Sequence, residues 1–351
     1  MPKYKFSEIA INSTAKKKPV EEDKYTYIGL EHLDSGTLTV SRWGADVAPI
    51  GEKLIMKKGD VLFGKRRAYQ KKVGIAPFDG IFSAHGMVLR PKEKVITKEY
   101  FPLFISSDYF LDKAIQISVG SLSPTINWKD LKNLEFEIPP IEEQLRVAPV
   151  IWAAIDTKNA YNKLLQETDE LIKSQFIEMF EGKGYPLKSG KELFKFSSGK
   201  FLPEEKRFED GVPVYGGNGI AWYTNEPLVS EDTVVIGRVG AYCGNVRLVR
   251  GEKWITDNAI YIAKFKTKDF TLEFLEKLMT IYDFHQYAGV AAQPKITQKP
   301  LEEQMYIVPP IDMQNQFADF VQQTDKSKFE LKQAIAGVDN LIRSLVQQEL
   351  K

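Results

Sequence analysis

This chain repeats itself, and that repetition constrains its fold more than any other feature. SPTINWKDLKNLEFEIPPIEEQ, from Ser123, aligns without a gap on QPKITQKPLEEQMYIVPPIDMQ, from Gln293, at a constant offset of 170 residues. Pro124 matches Pro294, Ile126 matches Ile296, Leu131 matches Leu301, and Gln144 matches Gln314. Pro139-Pro140-Ile141 matches Pro309-Pro310-Ile311. Weaker pairs keep the same order: GDVLFGKRR at Gly59 with EDTVVIGRV at Glu231, LIKSQF at Leu171 with LIRSLV at Leu341, and SEIAINSTAKKKP at Ser7 with KELFKFSSGKFLP at Lys191. Chance explains one such pair better than four in one order. The period is too long for a solenoid, so the expected order is unit, helix, unit, helix.

Each Pro-Pro pair marks a junction. Proline ends a strand-like run (LEFEI, MYIV) because it cannot donate to a ladder, and it suits the first turn of a helix. Glu142 and Glu143 favour the positive end of a helix dipole. Helices are therefore expected to start near Ile141 and Ile311. The second carries a heptad seam at Phe317, Val321, Thr324, Lys328, Leu331, Ile335, Val338, Ile342 and Leu345, with Thr324 and Lys328 as polar exceptions. The first has a looser stripe: Val147, Ile151, Ile155, Leu164, Leu171, Ile172 and Phe176. Pro149 is expected to kink its first turns, and Gly182 and Gly184 to end it. Each helix of about 40 residues would be about 60 Å long. The economical way to bury both seams is to pair the helices as an antiparallel coiled coil; the alternative folds each helix onto its own domain.

Between the helices, short β-rich runs (YTYIGL, GTLTVS, DVLFG, GMVLRP; TVVIG, NVRLV, NAIYIAKF) alternate with turns and precede helical stretches. Each unit reads as mixed, and the fold class is α+β. The expected boundaries are 1–140 for the first globular unit, 141–181 for the first long helix, 182–310 for the second unit and 311–351 for the second helix.

Net charge is only +1, so any affinity for nucleic acid must rest on local charge. One cysteine, Cys243, excludes an internal disulfide and a Cys-rich metal site, and three histidines far apart give no zinc spacing. No metal or cofactor is expected. No run approaches the roughly 18 apolar residues of a membrane helix, and a reducing, cytoplasmic setting is expected.

The densest basic stretch holds Lys57, Lys58, Lys65, Arg66, Arg67, Lys71 and Lys72 against one acid, Asp60, with Tyr69 and Gln70 interleaved. Two readings stand side by side. Lysine and arginine can neutralise phosphates, arginine can fork onto guanine and glutamine onto adenine; equally, most charge runs are solvated surface. The matching segment of the second unit (Arg238, Tyr242, Asn245, Arg247, Arg250) is less basic, and a glycine-bent hairpin explains it nearly as well. Asn218 could reach a base, though a left-handed turn position is favoured. Ser123 and Asn127 could contact DNA, though capping is favoured. Lys16-Lys17-Lys18 and Lys295 are phosphate-contact candidates.

No Asn-Pro-Pro-aromatic or Asp-Pro-Pro-aromatic run exists for adenine methylation, and no GxxxxGK[ST] loop for a nucleotide motor. Glu204, Glu205 and Asp210 have no partner suggesting hydrolysis. No catalytic residue is assigned.

Several phrases, YIGLEHLDSGTL at Tyr27, GDVLFGKRRAYQKK at Gly59, GSLSPTINWKDLKNLEFEIPPIEEQ at Gly120 and YGGNGI at Tyr215, stand in the order found in type I restriction-modification specificity subunits, which the chain resembles over nearly its whole length. The second unit departs from the pattern: Thr297 follows Ile296, and its helix motif reads PPIDMQ. The resemblance implies two target-recognition domains, each reading half of a split site in double-stranded DNA, held apart by the helices acting as a ruler. It also implies docking to two methyltransferase (modification) subunits and to motor-nuclease (restriction) subunits. The DNA-contact set it suggests is Lys65, Arg66, Arg67, Tyr69, Gln70, Lys72, Ser123, Asn127, Asn218, Arg238, Tyr242 and Lys295. The rival readings are a two-domain protein-binding adaptor without catalysis and a small DNA-processing enzyme.

Overall fold

Glycine and proline punctuation cuts the chain into short strands, and the computed structural model, which describes residues 1–288 and 294–349, assembles them into two compact units. Unit one comprises Met1–Asn162 together with the end of the chain from Gln333; unit two comprises Lys163–Lys332.

In unit one, the all-buried run Val61–Phe63 has apolar cover on both faces, as a continuous apolar strand requires. It lies in an antiparallel four-stranded sheet ordered Ala10–Ser13, Met87–Pro91, Val61–Phe63, Val73–Ile75. A second sheet runs Lys16–Lys17, Lys53–Met56, Gly80–Phe82, Tyr27–Ile28, its last pair parallel. Unit two repeats the plan. Its four-stranded sheet is ordered Phe194–Ser198, Ala259–Phe265, Thr233–Gly237, Val246–Val249, the same sequence of first, fourth, second and third strands. Its second sheet, of three strands, also holds one parallel pair, Val212–Gly216 beside Trp254–Ile255. Closing two-stranded ladders pair Lys3–Lys5 with Glu135–Glu137 and Leu187–Ser189 with Met305–Ile307. The duplication of the sequence therefore carries over to topology.

The long helices run Ile141–Phe180 and Ile311–Glu349, starting at the residue after each Pro-Pro pair. The first continues through Pro149. Gly182 and Gly184, both left-handed (φ 68° and 74°), follow its end. The two compact units divide each helix near its middle rather than at its start. Packing thus groups the chain differently from element boundaries such as 140/141 and 310/311.

Within unit one, Val147 and Ile151 of the first helix are buried in the core with Phe6, Phe104, Phe110 and Phe136, while Ile155, Ile342 and Leu345 pack on its margin. Lys158 meets Asp339 at 2.7 Å. Within unit two, Phe176, Phe180, Phe317 and Val321 share a core. Here the helices run antiparallel: Asp169 lies 2.5 Å from Lys328, and further along, Phe176 packs on Phe317 with ring centres 5.7 Å apart. Leu331, in unit two, is half-buried, as are Ile335 and Val338 in unit one. Both polar seam positions are satisfied: Thr324 donates to the Phe320 carbonyl and Lys328 pairs with Asp169 and Asp325.

One seam expectation is corrected. Leu171 is 50% exposed, and Leu164 is exposed as well. The buried line instead passes through Thr168, Ile172 and Phe176. Four-residue steps keep these on one face, whereas a residue one position earlier is turned away by about 100°.

A glutamine anchors each helix to its unit. Gln144 is fully buried. Its Oε1 accepts from Thr97 N–H (2.7 Å), and its Nε2 donates to the carbonyls of Val95 (2.9 Å) and Pro139 (2.8 Å). Gln314 repeats the pattern with Thr271 N–H, the Asp269 carbonyl and the Pro309 carbonyl. We predict that Gln144→Leu, which strands three backbone groups, one buried and two partly buried, destabilises unit one by roughly 2–3 kcal/mol. Urea denaturation followed by hydrogen exchange in unit one measures this; a loss below about 1 kcal/mol would show the bonds to be dispensable.

Candidate nucleic-acid interface

The basic stretch of unit one leaves the sheet at Phe63 and returns at Val73, and its base is closed by Gly64 N–H to the Lys72 carbonyl (2.9 Å). Between them lies a tight turn, Ala68–Gln70, flanked by Arg67 (φ 53°) and Lys71 (φ 48°). These are two of the three non-glycine residues with positive φ among the described residues. Each left-handed L-residue costs roughly 1–2 kcal/mol. The bonds that hold the loop offset this. Arg66 N–H donates to the His85 carbonyl, Ala68 N–H to the Pro124 carbonyl, and Ile126 N–H to the Lys65 carbonyl (2.9 Å). Lys71 bridges Asp108 (2.7 Å) and Asp112 (2.8 Å).

The loop thus divides its cations into two groups. Lys71 holds the turn, and Lys72 donates to the Leu30 carbonyl at 2.7 Å, so the head group of Lys72 is engaged within the fold. Arg66 and Arg67 are exposed, and no side chain among the described residues pairs with Arg67. Tyr69 is exposed beside them, and the Gln70 carbonyl accepts from Ser35. Neighbouring strands add further positive charge. Partial burial, then the nearby Lys16, pushes the Lys65 ammonium below the usual lysine range. Desolvation, then Arg66, Lys65 and Lys53, holds the His85 imidazole below the usual histidine value. His85 Nε2 lies 3.4 Å from Arg66 Nη1. His85 and Lys53 were not legible as site residues, because only the sheet brings them to Lys65.

Ser123 and Asn127 flank the segment Pro124–Ile126 that bonds to this loop at Lys65, Arg66 and Ala68. The capping expectation is corrected. Asn127 occupies the position before the helix Trp128–Leu131, but its side chain makes no cap bond and is exposed. Ser123 contributes its carbonyl, which accepts from the Thr125 hydroxyl.

Unit two builds the same frame. Ile296 N–H donates to the Arg238 carbonyl (2.9 Å), Gly240 N–H to the Pro294 carbonyl (3.0 Å), and Val239 bridges Lys295. One residue fewer separates the two anchor points here, and Gly240 (φ 76°) takes the left-handed bend for which unit one uses Arg67. Arg238 Nη1 donates to the Asp257 carbonyl, and Arg247 Nη2 to the Asn218 carbonyl. In the Gly216–Gly219 hairpin tip the left-handed residue is Gly219 (φ 108°), not Asn218. That corrects the turn expectation: glycine incurs no Cβ penalty there. Tyr242 and Lys295 are exposed. Near this tip, Arg238 Nε, Arg247 Nε and the Thr256 hydroxyl are buried without a hydrogen-bond partner. The twelve candidate contacts therefore fall into two clusters, one in each unit. Sequence reasoning also missed a stack in unit two, where the Arg207 guanidinium lies 4.1 Å from the centre of the Trp222 ring.

Among the described residues, no group of three or more His, Cys, Asp or Glu could hold a metal ion, and no helix is long and apolar enough to cross a membrane.

Because the His85 value in the folded chain is depressed, the stability it contributes is present above the ordinary histidine value of about 6.5 and is lost as pH falls through the folded value. We predict that Lys65→Gln and Arg66→Gln each raise the His85 titration midpoint in NMR. An unmoved midpoint would remove these cations as its cause.

Against this geometry, comparison with known proteins is direct. The family model described as type I restriction modification DNA specificity domain matches residues 5–171 and again 183–337. The specificity subunit of the Escherichia coli type I restriction enzyme EcoprrI is 29% identical over 139 residues, which is 38% of this chain and 34% of that protein. The putative type I restriction enzyme MjaX specificity subunit of Methanocaldococcus jannaschii is 24% identical over an alignment covering 95% of this chain and 90% of that protein. The solved S subunit of a type I restriction-modification system from M. genitalium shares the fold at a TM-score of 0.59 with 16% identity, covering 100% of this chain and 96% of that one. A chain from a structural study of type I R-M complex assembly gives the same TM-score at 17% identity, covering 100% and 97%. With two family matches that together span most of its length, the chain belongs to the type I restriction-modification DNA specificity family.

Proposed function

We propose that this chain is the non-catalytic subunit that chooses the DNA sequence for a type I restriction-modification complex, each unit binding one half of a bipartite site in double-stranded DNA. The observation that carries this reading is the cationic centre of unit one. Lys65, Arg66 and Arg67 converge there beside His85, with Lys16 and Lys53 nearby; burial first, and this like charge second, lowers the Lys65 and His85 values. A site that gathers cations gains from an anionic partner, and phosphates supply it. Exposed Tyr69 and Asn127 in the same cluster are candidates for base contact, as are Asn218, Arg238, Tyr242 and Lys295 in unit two. The family assignment supports docking to two methyltransferase (modification) subunits, which would supply methyl transfer, and to motor-nuclease (restriction) subunits. A cytoplasmic setting accords with these partners.

Charge reversal at Lys65, Arg66 and Arg67 together is expected to lower DNA affinity of the assembled complex on the order of 100-fold at low salt. The slope of log affinity against log salt should flatten by about 0.9 for each phosphate that is no longer neutralised. Lys72→Met, which removes the bond to the Leu30 carbonyl, should reduce stability and leave that slope in place. Equal slopes for the triple variant and the unaltered chain in a filter-binding titration would refute the assignment.

A further inference from the structure

The segment that crosses the cationic centre of unit one turns back on itself just before it. Val119 and Thr125 exchange both backbone hydrogen bonds (3.0 and 2.9 Å) and close a short hairpin around Gly120–Pro124. Gly120, at φ 111°, supplies a backbone conformation that a side chain would strain. Its missing Cβ would meet the Ser123 carbonyl and Pro124 at ordinary contact distance, so the tip is folded onto itself. Leu122, in the middle of this tip, is 92% exposed, and Val119 at its base is 65% exposed. The returning leg of the hairpin is the segment bonded to Lys65, Arg66 and Ala68.

Single exposed leucines are ordinary on a protein surface. Leu122 differs in its setting. It caps a short, hydrogen-bonded loop that backbone bonds fix to the loop carrying Lys65, Arg66 and Arg67. Those cations suit the phosphates of a duplex, and the apolar atoms beside them suit the interior of its base stack. Apolar side chains next to basic groups act as wedges in proteins that kink DNA, separating neighbouring base pairs in exchange for closer backbone contact.

We propose that Leu122 is a wedge entering the stack at one base step of the half-site bound by unit one, while Lys65, Arg66 and Arg67 hold the flanking phosphates. This rests on the DNA-recognition reading above. The wedge reads sequence through deformability: pyrimidine–purine steps unstack most easily, so the step beneath Leu122 is one of these.

The test uses the full chain assembled with its modification subunits and duplexes that this complex selects from a random-sequence pool. Each base of the half-site is replaced in turn by the fluorescent analogue 2-aminopurine, which brightens when unstacked. The expected result is brightening at one pyrimidine–purine step of one half-site. Leu122→Ala should abolish it, lower affinity roughly tenfold and leave the salt slope unchanged; Leu122→Met should restore the brightening. Brightening that persists in Leu122→Ala, or none with the unaltered chain, overturns the wedge. If Leu122→Ala binds normally while charge reversal at Lys65, Arg66 and Arg67 still weakens binding, the wedge falls and the DNA reading stands. If charge reversal also has no effect, both fall. Loss of binding to a modification subunit, with DNA binding intact, assigns Leu122 to a protein surface and likewise overturns the wedge.

Discussion

The structure depends on a backbone clamp. In each unit, the segment that leads toward a long helix pairs with the loop that leaves the central sheet: Pro124–Ile126 with Lys65–Ala68, and Pro294–Ile296 with Arg238–Gly240. The same few residues thereby set the loop that gathers the charge and the path into the helix. From Ile126 the chain continues through Trp128–Leu131 and Glu135–Glu137 to the Pro-Pro junction, where Gln144 fastens the helix to Val95 and Thr97. A perturbation of the clamp would reach both the contact surface and the helix start.

The clamp also explains how a chain of net charge +1 can present a strongly positive site. Its acids are engaged elsewhere. Asp108 and Asp112 are drawn to Lys71, and Asp60 is buried under a bidentate bond from Arg90. Arg66 and Arg67 are left exposed on the loop, at the entry to its left-handed turn.

Duplication conserved the frame and let the chemistry diverge. Topology, the glutamine anchor and the clamp recur with matched partners. Unit one bends its loop with Arg67 and carries exposed guanidinium groups; unit two bends with Gly240 and ties Arg238 and Arg247 to backbone carbonyls around the Gly216–Gly219 hairpin. Two units with one scaffold and different contact chemistry are what reading two different half-sites would require.

The sequence by itself determined the duplication, the two helix starts, the mixed character of each unit and the location of the densest basic stretch. These are local matters: proline fixes a boundary, apolar periodicity fixes a face, and charge runs are visible in order. It did not determine that Leu171 turns outward while Ile172 turns in, since an irregular heptad stripe leaves the helix phase open by one residue. Nor did it separate Lys72, bound to a carbonyl, from Arg66 and Arg67, which face outward, or bring His85 and Lys53 to Lys65. Those outcomes come from strand pairing between segments far apart in the chain, where the sheet register decides which side chains meet and which head groups the fold consumes.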